Sequence, residues 1–187
     1  MRRILVTGNA GSGKSTLAAR LGELLGLDVV GLDRVVWRPG WQKAPPDERR
    51  AAEREMAARP AWVVDGVSST ILTAADLVIF LDLPRPVCLW RCLRRSLPYL
   101  LWSRPGLPER CPELLILPHL VRLIWRFPAQ TRPAILAALS AEEPARRCIW
   151  LRSSAEVQAL VSAVAVGGLD ALRLASEQGL KPGADPA

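Results

Sequence analysis

The sequence predicts an α/β fold, with a parallel sheet of five strands held between layers of helices, and three observations carry that prediction. Short runs that are apolar at every position, not at alternate ones, mark strands buried on both faces. Amphipathic stretches of helical length lie between them, the alternation that builds parallel sheets. A glycine-rich loop joins the first run to the first amphipathic stretch, as a tight strand-to-helix turn requires. At 187 residues, half of them apolar, the chain has the size of one globular domain and a short tail.

Taken in order, strands are expected at Ile4–Thr7, Val29–Leu32, Trp62–Val64, Leu77–Leu81 and Cys148–Leu151. Helices are expected near Lys14–Leu25, Asp47–Ala58, Val87–Leu101, Leu114–Phe127 and Pro133–Leu139, with a last one after Ser153. Ser153 followed by Glu156 has the spacing of a capping box for that last helix. Pro98, Pro105, Pro108, Pro112, Pro118 and Pro128 divide the segment before Arg132, so short helical pieces of a mobile insertion are expected there. The resulting organisation is a main unit over 1–165, a helical lid insertion over 85–132 within it, and a C-terminal helix and disordered tail over 166–187.

Composition excludes some classes of protein. No uninterrupted apolar run approaches the roughly 20 residues of a membrane-spanning helix. The basic Met1-Arg2-Arg3 and the apolar Ile4-Leu5-Val6 are cut off by Gly8, too early for a secretory signal. Cys88, Cys92, Cys111 and Cys148 lack paired Cys-x-x-Cys spacing and read as reduced thiols, so a cytoplasmic location is expected. The formal net charge is +7. Nine Arg and two Glu between Arg85 and Arg132 carry the whole excess, which points to a phosphate-bearing partner for that segment.

Gly8-Asn9-Ala10-Gly11-Ser12-Gly13-Lys14-Ser15 fits G-x-x-x-x-G-K-[ST] and lies between a predicted strand and a predicted helix. In that context the glycines let main-chain amides turn inward around a phosphate, and the helix running on through Thr16 adds the positive end of its dipole. Lys14 then reaches the β- and γ-phosphates, and the Ser15 hydroxyl is a ligand for Mg²⁺. The expected cofactors are therefore ATP and Mg²⁺, on a three-layer phosphate-loop NTPase fold.

Carboxylates at the C-terminal ends of parallel strands look into the ligand crevice. Asp65, closing Trp62-Val63-Val64-Asp65, is the candidate second metal ligand; Asp82, after Leu77–Leu81, competes for the role. Asp33, closing Val29–Leu32, would orient or deprotonate an acceptor hydroxyl, or else cap a helix. Trp37 and Trp41 flank a Pro-Gly turn and either sandwich a flat ring or cover the core edge. Arg91, Arg94 and Arg95 share one helical face, and with Arg122, Arg126 and Arg132 they would close on the transferring phosphoryl group and exclude water. Two other uses of the basic segment are weighed. Duplex DNA would contact it as a row of phosphates. A membrane surface would need a continuous amphipathic helix, which the prolines are expected to break.

Together the phosphate loop, Leu32-Asp33 with Trp37-Arg38-Pro39-Gly40-Trp41, Trp62-Val63-Val64-Asp65-Gly66, Phe80-Leu81-Asp82-Leu83-Pro84-Arg85, Leu89-Trp90-Arg91-x-Leu93-Arg94-Arg95, Cys111-Pro112-Glu113 and Thr131-Arg132-Pro133 resemble the topology-modulation proteins, bacterial relatives of adenylate kinase. The resemblance covers the chain to about Val161 and implies an ATP-binding, adenylate-kinase-like fold, strand order 2-3-1-4-5, with a lid. The chain departs from the family after Gly66, reading Val67-Ser68-Ser69-Thr70-Ile71-Leu72-Thr73, and lacks the Asp-Gly-Phe-Pro-Arg run of adenylate kinases, so AMP does not carry over as acceptor. The expected activity is transfer of the γ-phosphoryl group of Mg-ATP to a nucleotide or other small acceptor by a monomer or weak homodimer. Lys14, Asp33, Arg91, Arg95 and Arg132 would be catalytic, and Ser15 and Asp65 would hold the metal. The alternative is an ATP-gated DNA-binding regulator, although no helix-turn-helix signature is present.

Overall fold

The computed structural model describes residues 1–103, 109–140 and 147–178. Its central strand, β1 (Arg3–Gly8), pairs in parallel with β5 (Trp62–Asp65) on one side and β6 (Leu77–Leu81) on the other. β2 (Val29–Gly31) extends the sheet beyond β5, and β7 (Cys148–Leu151) extends it beyond β6. The order is β2-β5-β1-β6-β7. Counted by the five sheet strands alone, this is the expected 2-3-1-4-5. The one addition is a separate two-stranded hairpin, β3 (Trp37–Arg38) and β4 (Gln42–Lys43), inserted between the second and third sheet strands.

Alternate strand residues feed two cores. Ile4, Val6, Val63, Ile79 and Ile149 pack against α1 (Lys14–Leu25), α5 (Arg85–Ser96) and α8 (Ser154–Gln178). Leu5, Trp62, Val64, Val78 and Phe80 face the other way, onto α3 (Pro46–Ala57), α4 (Ser69–Ala74) and α7 (Arg132–Ser140). Burial on both faces explains why the three inner strands read as unbroken apolar runs, each such side chain contributing about 1.5–3 kcal/mol. β2 departs from that expectation: it is an edge strand, and Val29 is exposed.

The Arg-rich segment corrects the sequence reading. The helix expected at Leu114–Phe127 is present as α6 (Glu113–Gln130), 18 residues long, and Pro118 and Pro128 lie inside it without dividing it. A proline removes the donor for the carbonyl four residues back. For Pro128 that carbonyl is Ile124's, and Asn9 Nδ2 donates to it at 3.1 Å, so the helix continues through the proline with a tertiary hydrogen bond in place of the missing one. The described part of 85–132 is built into the core through Cys88, Cys92, Ile124 and Phe127. Arg104, Pro105 and Pro108 lie outside the described residues.

α8 runs across the expected boundary at 165/166, with a non-helical Gly168 (φ 54°) inside it. Its start is capped much as predicted: the Glu156 amide donates to Ser153 Oγ at 3.2 Å, while the Glu156 carboxylate accepts from the amide of Arg152, at 2.7 Å. Among the described residues it is the one helix long and apolar enough by composition to cross a membrane, at mean hydropathy 1.5 over an 18-residue window within Ser154–Glu177. Val, Leu and Ala supply that hydropathy in a stretch interrupted by Asp170 and Arg173, while Leu160, Val164 and Leu172 are buried in the core. The expected disorder of the last ten or so residues falls almost wholly on 179–187, outside the described residues. Burial pushes the Cys88 thiol up to about 11 and the Cys148 thiol up to about 12, so neither is a thiolate near neutral pH.

Candidate active site

The loop between β1 and α1 is fixed by close backbone approach. Gly11 has φ 76°, and a Cβ there would stand 2.1 Å from the carbonyl oxygen of Cys88. Gly8 is pressed in the same way on the carbonyl of Leu81. The loop thus sits directly on the exit of β6 and the first turns of α5, with Gly13 left-handed at the head of α1 (φ 98°). Asn9 and Ser12 are buried; Ala10 and Gly11 line the cavity that opens above.

That cavity, of about 1100 Å³, gathers most of the predicted residues. Gly8, Ala10, Gly11, Ser12, Gly13, Lys14, Ser15 and Thr16 line it from the loop, Asp33 and Asp65 from the ends of β2 and β5, and Arg91 and Arg95 from α5. Asn9 belongs beneath the loop, where its side chain holds α6. Lys14 Nζ donates to the carbonyl oxygen of Asn9 at 2.8 Å. Burial lowers the Lys14 pKa, and the nearby carboxylates of Asp33 and Asp65 offset only part of that effect. An ammonium held this way lacks a full counter-charge, and a polyphosphate supplies one.

Ser15 Oγ donates to Asp65 Oδ2 at 2.5 Å, which puts two hard oxygen donors side by side where α1 begins. Asp82, the competing metal candidate, is engaged elsewhere: it accepts from Arg132 Nε at 3.1 and 3.2 Å and from Trp150 Nε1 at 3.1 Å. The structure therefore does not bring Arg132 to the phosphate cavity. It lines a small separate recess with Asp82 and Asn9 and lies 5.5 Å from the ring centroid of Trp150.

The arginine face of α5 divides. Arg91 bridges the loop to α8, donating to the Ser12 carbonyl at 3.1 Å and to Ser154 Oγ at 2.7 Å. Arg95 lines the cavity with its Nε buried and without a hydrogen-bond partner among the described residues. Arg94, three residues from Arg91, is exposed and outside the lining, as are Arg122 and Arg126.

Asp33 is exposed and begins α2 (Asp33–Val36), whose N-cap is Leu32, so Asp33 is not a helix cap. The two indoles do not form a sandwich: Trp37 and Trp41 pack edge to face at 5.3 Å. Trp41 instead lines the cavity and docks the hairpin on the segment before α6, its Nε1 donating to the Pro112 carbonyl at 2.9 Å and its amide contacting Cys111 Sγ at 3.4 Å. Glu113, a wall residue to which the motifs gave no role, is buried and accepts from Ser96 Oγ at 2.8 Å. Its visible signal was a carboxylate opening an apolar helix after Pro112. Leu120, Leu123 and Phe127 from α6 and Val157 and Val161 from α8 complete an apolar wall.

Solved structures share the fold. A shikimate kinase from Acinetobacter baumannii, in complex with shikimate, superposes over 90% of this chain and 96% of its own at TM-score 0.53 and 16% identity. A shikimate kinase from Bacteroides thetaiotaomicron does so over 86% and 94%, at TM-score 0.51 and 14% identity. An unliganded sugar kinase from Janibacter sp. aligns over 96% and 99%, at TM-score 0.48 and 19% identity. The fold is that of the phosphate-loop kinases. At these identities the likeness is one of fold, and no protein-family profile and no curated protein matches the chain. Within the phosphate-loop kinase fold, the cavity lies where ligands of open parallel sheets bind, beyond the C-terminal ends of the strands.

Proposed function

We propose that the chain is a Mg-ATP-dependent phosphotransferase that moves the γ-phosphoryl group to a small acceptor carrying a hydroxyl or a phosphate. The observation that carries this reading is that one cavity is lined both by the phosphate loop with Lys14 and by Asp33, an acidic residue at the start of the short helix that follows a different strand. Binding of phosphate alone would need only the first; transfer needs an oriented acceptor as well. The resemblance to the topology-modulation proteins belongs to the same reading.

In it, the loop amides and Lys14 hold the phosphates, and the phosphates offset the cost that burial places on the Lys14 charge. Ser15 Oγ and Asp65 are the residues that would hold Mg²⁺. They are hard oxygen donors already within 2.5 Å of each other, suited to an ion that takes few protein ligands and completes its shell with phosphate and water. When bound, Mg²⁺ neutralises charge on the phosphate oxygens. Asp33 accepts the proton of an acceptor hydroxyl, Arg95 offers its guanidinium to charge developing in transfer, and Arg91 fixes the loop against α8. Trp41 and Phe127 bound the acceptor with apolar surface, which helps to exclude water. Support for the DNA-binding alternative is thinner, because Arg91 and Arg95 line the cavity and Arg132 is engaged by Asp82.

The test is to incubate the protein with Mg-ATP labelled at the γ-phosphate and a panel of mononucleotides, nucleosides and small alcohols, with Lys14→Ala as control. Acceptor-dependent labelled product that is absent with Lys14→Ala is the expected result. Slow hydrolysis unchanged by every acceptor would sink the proposal.

A further inference from the structure

The prolines that argued against a membrane-binding helix do not interrupt α6, and its outward face is thereby restored as a surface. Leu115, Pro118, Arg122 and Trp125 recur at spacings of three and four along that helix, with Leu114 and Arg126 beside them, all exposed. α5 carries a similar stripe in Trp90 and Arg94, continued just beyond its end by Leu97, Leu101 and Trp102. The two helices pack antiparallel: Arg85, at the start of α5, lies 4.7 Å over the ring of Trp125 near the end of α6, and Ser96, at the end of α5, bonds Glu113 at the start of α6. Trp90, Trp102 and Trp125 are 66, 73 and 63% exposed, and Leu101 and Leu115 are 72 and 70% exposed. Soluble surfaces seldom leave so many large apolar side chains together in water.

The charges select what covers them. Arg85, Arg94, Arg110, Arg122 and Arg126 are exposed in this segment, while Glu109 is the exposed acid among its described residues. A second copy of the chain would cover the tryptophans but bring these arginines against their equals. A nucleic acid duplex would satisfy the arginines and offer the leucines nothing. An anionic bilayer answers both, because indoles favour the headgroup boundary, leucines enter the acyl edge and guanidiniums meet lipid phosphates.

We propose that the outward face of the α5–α6 pair docks reversibly on an anionic lipid surface, through Trp90, Trp102, Trp125 and the neighbouring leucines, with Arg94, Arg122 and Arg126 on the phosphates. Each arginine near an anionic leaflet is worth roughly a fivefold gain in partitioning, so the vesicle charge decides the outcome.

The experiment is co-sedimentation of the full chain with vesicles of phosphatidylcholine alone or mixed with phosphatidylglycerol. The protein is expected to sediment with the mixed vesicles and not with the neutral ones, and to be released as salt shortens the Debye length from about 10 Å at 0.1 M to about 3 Å at 1 M. Trp90→Ser, Trp102→Ser and Leu115→Ser together should cut partitioning at least about tenfold with the melting curve retained. Arg94→Glu with Arg122→Glu, which touches no core residue, should cut it by a similar factor and flatten the salt response, and it stands in if the triple variant fails to fold. Equal sedimentation with both vesicles, or with neither, overturns the proposal. So does a dimer in analytical ultracentrifugation that the triple variant dissolves, or salt-sensitive duplex binding, when either occurs without vesicle binding.

Discussion

The two walls of the cavity are made by different means. On the phosphate-loop side, main chain touches main chain: Gly8 and Gly11 admit no side chain because the carbonyls of Leu81 and Cys88 stand where a Cβ would go. On the opposite side, the β3–β4 hairpin is held by the Trp41 side chain on the Pro112 carbonyl and by the Trp41 amide on Cys111 Sγ, while α6 is packed into the core and tied to the side chain of Asn9. A wall fixed by backbone contact has one shape, whereas a hairpin held by a few hydrogen bonds, each worth about 1 kcal/mol, can open at low cost. Under the proposed function, the difference suits a transferase that grips one common phosphate donor and admits and releases an acceptor.

The largest effect is expected at the centre of the rigid wall. Lys14→Met should lower transfer by roughly 10²–10³-fold, the scale of losing one preorganised charge donor. It should also stabilise the unliganded protein. Burial lowers the Lys14 pKa below its unfolded value of 10.5, so below the lowered value the folded chain carries the full cost of a desolvated ammonium. That cost vanishes as pH rises toward 10.5, where the unfolded chain also gives up the proton. Urea unfolding at about pH 7 and about pH 10 should therefore show the variant ahead of wild type, by less at the higher pH. An equal lead at both values would mean that the gain has another origin.

Two glycines with nearly equal φ compare the walls directly. Gly11, at 76°, meets the Cys88 carbonyl; Gly40, at 74° in the hairpin, has nothing within 4 Å. Gly11→Ala should cost about 3 kcal/mol and abolish ATP binding, since left-handed strain adds to a clash that the backbone cannot relieve. Gly40→Ala should cost about 1 kcal/mol, the strain alone, with ATP affinity unchanged. Thermal melts and calorimetric titration with ATP check both. Similar losses at the two positions would erase the distinction between the walls.

This contrast also marks what the sequence could reveal. The loop was legible because its chemistry is local: strand, glycines, lysine and helix follow one another within a dozen residues, and Ser15 and Asp65 then meet because parallel strands end on one side. Arg132 was misplaced for the opposite reason. Its partner Asp82 lies 50 positions away and in turn accepts from Trp150, 68 positions from Asp82, and no local pattern announces that cluster. The continuity of α6 was hidden likewise, because the donor that satisfies the carbonyl freed by Pro128 comes from Asn9, 115 residues away from Ile124. Arg91 and Arg95 fell on the cavity as the helical spacing suggested, while Arg94 turned to solvent, since three positions on one helix still spread over an arc wider than the opening.

Asp82→Asn should separate structure from chemistry at that displaced cluster. It removes the charge that accepts from Arg132 and Trp150, costing about 1.5–3 kcal/mol by the scale of charged hydrogen bonds. Chemical denaturation should register the loss while ATP affinity stays within about twofold, because no atom of Asp82 lines the phosphate cavity. A drop in Mg²⁺-dependent ATP affinity with unchanged stability would return Asp82 to the metal site in place of Asp65.

The smallest effect tests the compliant wall itself. Trp41→Phe keeps most of the ring but removes the Nε1 donor to the Pro112 carbonyl, so the loss should be about 1 kcal/mol and local. Trp41 has an uncommon positive φ of 58°, so the native hairpin already carries strain that its docking opposes. Without that bond the hairpin and the start of α6 should open more often, and hydrogen exchange at the amides of Cys111 and Leu114 should quicken roughly fivefold while those of β1 keep their protection. Faster exchange across β1 as well would show that the hairpin is cooperative with the sheet, and the two walls would then be one.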